Sequence, residues 1–132
     1  MRATTFLLIL MALCHNSSIA QWTAYPDPPL ALCDTVNEQN AVRAVGDGNG
    51  GWYVCWLDGR VSNSKMEIYG QHLGADGTEL WEPNGRLMVA DPVKQIFNLA
   101  VERTANGALA VAYTKGPSGY GADTLELQLL DA

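Results

Sequence analysis

Asp58 and Arg60 stand two residues apart in "WLDGR". On extended backbone such a pair leaves the chain on one side, where a carboxylate and a guanidinium can meet. Two uses fit the spacing: an ion pair that clamps a loop to the next strand, or a charged rim that meets a ligand. Asp47, in the glycine-rich run "GDGNGG", and Asp58 are the carboxylates a cation would find, but the alternating acidic and amide positions of a calcium loop are missing. His72 is the only histidine beyond the first twenty residues, and beside Gln71 at a strand end it reads as a packing or surface residue. No metal-ligand cluster, nucleophile-base spacing or phosphate loop can be read from the residue types, so no catalytic residue, metal or cofactor is assigned. Trp22 and Tyr25, in "QWTAYPDPP", are aromatic residues that could stack on carbohydrate or cover a sheet edge.

These side chains need strands to position them. Ala41 to Val45 and Trp52 to Leu57 are rich in β-branched and aromatic residues, and "GDGNGG" between them is a dense turn signal, which predicts a hairpin. After the polar run "GRVSNSK", read as a loop, Met66 to Leu73 is a third strand. Arg86 to Ala90 is a fourth, beyond the turns "ADGT" and "EPNG". No stretch carries a sustained helical period with caps. Trp52, Val54 and Trp56 point to one face while Tyr53, Cys55 and Leu57 point to the other. Both faces are largely apolar, so this strand is expected to be covered on both sides.

The chain repeats this pattern. Sliding the sequence against itself by 57 positions lays residues 30–75 on 87–132, and ten of the 46 pairs are identical, among them Leu30 with Leu87, Asp34 with Asp91, Asn49 with Asn106, Gly50 with Gly107 and Gln71 with Gln128. About three would coincide by chance, so the division is a first unit at 30–86 and a second, shorter unit at 87–132. Cys33 and Cys55 are matched by Ala90 and Ala112 in the second unit. Joint replacement by alanine is what two touching cysteines would leave, so a Cys33–Cys55 disulfide is one expectation, and two small buried thiols the other.

Upstream, "MRATTFLLILMALCHNSSIA" has a basic start, an eight-residue apolar run and small residues at Ser18 and Ala20, the order of a secretory signal peptide at residues 1–20. A bilayer-spanning helix needs about 20 apolar residues, so membrane insertion is not expected. A lead-in segment rich in proline follows at residues 21–29. Cleavage after Ala20 would leave seven basic against fourteen acidic residues, a net charge of −7 with histidine neutral. That balance argues against nucleic acid and anionic lipid as partners. The predicted location is outside the cytoplasm: secreted, at the cell surface or in the periplasm.

The run "DGNGGWYVCWLDGR", followed by "EIYGQHLGADGTELW" and "NGRLMV", resembles the blade repeat of secreted bacterial β-propeller-like proteins of the Bacteroidota type. The resemblance implies an all-β fold of antiparallel four-stranded blades, with about one and a half to two blades of an incomplete propeller in this chain. A closed propeller needs typically four to eight blades, so the chain is expected to be an N-terminal fragment of a larger propeller, or to close a ring by self-association. The function implied is an exported scaffold or binding module with no catalytic site of its own, presenting loops to a surface polymer or protein. The alternative is the N-terminal part of an exported propeller enzyme, a hydrolase or a quinone-dependent oxidoreductase whose active residues lie in other blades; "DGTELW" is similar to the end of quinone-type blades. Asp58, Arg60, Trp22 and Tyr25 are the candidate binding residues.

Overall fold

The computed structural model describes residues 29–131. The signal peptide expected at 1–20 and the candidates Trp22 and Tyr25 lie outside the described residues. Seven strands follow: β1 (Gln39–Gly46), β2 (Trp52–Ser62), β3 (Lys65–Leu73), β4 (Arg86–Val89), β5 (Gln95–Arg103), β6 (Leu109–Gly116) and β7 (Thr124–Leu130). The first four pair antiparallel in the order β1-β2-β3-β4, the last three in the order β5-β6-β7. The described residues are therefore all-β, two antiparallel sheets of four and three strands that among themselves do not close into a ring.

Each hairpin turn has a local cause. Gly48 and Gly50 take φ of 83° and 92°, and Asp47 Oδ1 accepts from the amides of Asn49 at 2.7 Å and Gly51 at 2.8 Å. Asp47 N also donates to Gly51 O at 3.0 Å. In the second sheet Gly107 takes φ of 94° and Thr104 N donates to Ala108 O at 2.9 Å, the same closure 57 residues on.

One expectation is corrected. The polar run at 59–65 is not a loop: β2 continues through Asp58, Gly59 and Arg60 to Ser62 and turns back at Asn63–Ser64, with Ser62 opposite Lys65. Polar residues persist in the strand because Asp58 and Arg60 satisfy each other there, as described below.

Strand alternation sorts the faces. Tyr53, Cys55 and Leu57, opposite His72, Gly70 and Ile68, form the inner face of the first sheet. That face meets Leu99, Leu109, Val111 and Tyr113 of the second sheet in one buried cluster. Each buried leucine or isoleucine here contributes about 1.5–3 kcal/mol. The boundary between sheets falls between Val89 and Gln95, so β4, whose counterpart in the sequence is residues 29–32, completes the sheet before its own unit.

Candidate functional site

Asp58 sits in β2, fully buried. Its Oδ1 accepts from the Arg60 amide at 2.8 Å and from Arg60 Nε at 3.0 Å; its Oδ2 accepts from Arg60 Nη2 at 2.8 Å and from Trp56 Nε1 at 2.7 Å. Four N–H donors occupy the roughly four lone-pair sites of a carboxylate, and the Cys33 thiol makes a longer contact to Oδ2 at 3.7 Å. Arg60 Nη2 also donates to Asn84 O at 2.7 Å, and the guanidinium lies 3.6 Å over the Tyr69 ring. Burial opposes ionisation of Asp58, but the hydrogen bonds from Arg60 and Trp56 outweigh it and hold the carboxyl below its usual range. The Asp58 bond in turn raises Arg60. The pair is a latch. It grips the loop before β4 through Asn84, and the segment before β1 through Cys33, whose Sγ is 3.6 Å from Arg60 Nη2; Asn84 Oδ1 accepts from Asp34 N at 2.8 Å.

Lys115, the counterpart of Asp58, performs the same task with the sign reversed. Its Nζ lies 2.8 Å from Asp91 Oδ2 and 2.7 Å from Glu126 Oε1, and Glu126 Oε2 accepts from Tyr113 Oη at 2.6 Å. Hydrogen bonds to Lys115 hold Asp91 and Glu126 low and raise the lysine. Asp91 belongs to the segment leading into β5, so each latch ties its sheet to the chain that enters it.

A second cluster was not legible from spacing. His72 Nε2 is 3.0 Å from Asp47 Oδ2, although the residues are 25 positions apart. The His72 ring stacks on Tyr53 with centroids 4.2 Å apart and meets Trp81 edge-on at 5.8 Å. Burial works against the Asp47 charge, but bonds from His72 and from the Asn49 and Gly51 amides depress its pKa. The signal that could have found the pair is register: the turn at Asn63–Ser64 together with the register shift between Asp58 and Ser62 places His72 opposite Tyr53, next to the Asp47 turn. A cleft of about 340 Å³ opens beside it between the two hairpin turns, lined by Asp47, Asn49, Tyr53, Arg103, Asn106 and Asp131.

The expected disulfide is not formed: Cys33 and Cys55 are free thiols. Cys55 lies on the inner face of the first sheet, 3.6 Å from Met88 Sδ, whereas Cys33 lies beside Asp58 on the other face, 3.7 Å from Oδ2. The sheet stands between them. Burial pushes the Cys55 thiol up to about 12, so it is not a thiolate near neutrality. Among the described residues no group of three or more histidine, cysteine, aspartate or glutamate side chains could hold a metal ion. No described helix is long and apolar enough to cross a membrane.

Compared with family models, with curated proteins and with solved structures, the chain gives no match.

Proposed function

We propose that this protein is an exported scaffold module of the blade type, whose task is to join sheet to sheet. The observation that carries the reading is the second sheet's outer face, where Leu125, Leu127 and Leu129 stand in a row toward solvent at 74, 68 and 62 % exposure. A row of leucines on an open sheet face is a surface for association. The charged clusters support the same reading, since they are placed as latches on the segments that enter each sheet. Leader and repeat carry over the expectation of export and of blade-like units.

The test is to tag the protein in its own cells, collect the exported fraction, and run it on native gels beside Leu127→Glu. The wild type is expected in a complex several times larger than one chain, beginning at Gln21 by mass spectrometry, and the variant as a single folded chain. A wild type that stays in the cytoplasm, or that migrates as a single chain, overturns the reading.

A further inference from the structure

Residues 30–36 have an unusual place in the molecule. They lead into β1 without pairing as a strand, and Leu30 and Ala31 are exposed. Their counterparts 57 positions later, residues 87–93, do pair: 87–89 lie in β4, along β3, before the chain enters β5. Leu30, Asp34 and Val36 are identical to Leu87, Asp91 and Val93. Residues 30–32 are thus the sequence counterpart of β4 without being a strand; the segment they belong to is held by the Asp34–Asn84 and Cys33–Arg60 contacts at the mouth of the first sheet, and among the described residues it has no strand to lie against.

The matching vacancy is at β7. This strand is the counterpart of β3, and among the described residues its outer edge has no neighbour. Gln71 of β3 is fully buried, its Nε2 donating to Glu82 O at 3.0 Å and its Oε1 accepting from Trp81 N at 3.0 Å. The identical Gln128 of β7 is exposed.

The sheet faces complement each other in the same sense. Where the two sheets meet, the first contributes its Tyr53, Cys55 and Leu57 face, and the second contributes the face of Leu99, Leu109 and Val111. The second sheet's open face holds the counterparts of that first set, with Ala110, Ala112 and the leucine row. The first sheet's open face holds the counterparts of the second set: Trp52, 46 % exposed, matches Leu109 at 0 %, and Val42, 57 % exposed, matches Leu99 at 4 %.

We propose that the second sheet binds a second copy of this chain, which lays its residues 30–32 along β7 as a fourth strand and stacks its Trp52 face on the leucine row. The proposal rests on the scaffold reading above and names its partner. The junction between copies reproduces the junction inside the chain, with residues 30–36 of the incoming copy standing where 87–93 stand. Strand addition supplies backbone hydrogen bonds, and the face supplies apolar burial. The contact is head-to-tail, so each copy has one donor face and one acceptor face, and the assembly closes as a ring or grows as an open stack.

Sedimentation of the purified exported chain tests this with two face variants. Trp52→Glu blocks one face and Leu127→Glu the other; both side chains are exposed, and circular dichroism checks that the sheets persist. Wild type is expected to associate, each variant alone to be monomeric, and an equal mixture of the two to stop at a dimer with a single productive junction. Leu30→Pro combined with Ala31→Pro removes two successive amides, one of which faces β7 in any strand pairing, and is expected to weaken association by at least about tenfold. Wild type that stays monomeric, or Trp52→Glu that still dimerises alone, overturns the proposal. A monomeric purified chain together with a large complex in cells leaves the scaffold reading standing with a different partner. Single chains in both settings remove both.

Discussion

Asp58 is the residue on which the first sheet's latch turns. Replacing it with alanine leaves Trp56 Nε1 and the Arg60 guanidinium without their acceptor, and losing one partner of such a buried pair costs about 3 kcal/mol. Lys94→Ala, whose partner Asp123 is half exposed, is expected to change stability little; urea melts of the two variants make the comparison. The pH dependence has a definite sign. Asp58 and Asp47 titrate lower in the folded chain than in the unfolded one, so their contribution is complete above about pH 4 and drains away as the pH falls toward the depressed folded values. The stability deficit of Asp58→Ala is therefore expected to shrink on acidification below pH 4; a deficit that grows there would contradict the assignment. The cysteines separate by reactivity. Half-buried Cys33 is expected to take a maleimide from the folded state, while Cys55, buried with its thiol raised to about 12, reacts only at the rate of global opening, as peptide mapping by mass spectrometry would record.

At the level of elements, Gly85 fixes the approach of β4. It has φ of 83°, and an added Cβ would stand 2.5 Å from the Trp56 ring. Gly85→Ala is expected to cost at least about 2 kcal/mol, the left-handed backbone and the displaced indole together. Gly119→Ala, with φ of 84° but nothing within 4 Å of its Cβ, carries the backbone part alone, so the difference in thermal midpoints isolates the clash. The strands of the first sheet were legible because aromatic and β-branched runs alternate with glycine-rich turns: Trp52 as the start of β2 and Leu73 as the end of β3 can be read directly. The far end of β2 was not, since "DGRVSNS" has loop composition and becomes strand only once Asp58, Trp56 and Arg60 satisfy one another. Asp47 with His72 escaped for a related reason, because their meeting depends on the register of two hairpins at once. The Cys33–Cys55 bridge is absent because the two lie on opposite sides of the sheet: strand alternation fixes Cys55 on the inner face, while Cys33, outside any strand, is placed by the latch on the other.

As a whole molecule, the two sheets share one core and should not melt separately. Leu109 is fully buried in the interface, and Leu109→Ala is expected to cost about 3 kcal/mol. Hydrogen exchange should then show amides of β2 and β6 losing protection together; protection lost in β5 to β7 alone would mean that the first sheet stands by itself. The reversed polarity of the two latches limits what each position can hold. Copying the first unit's residue 58 over position 115 would set a third carboxylate against Asp91 and Glu126, where an ammonium now lies within 2.8 Å of both. Inverted charge thus makes the two latches non-interchangeable at this position: the side chain that completes one would undo the other.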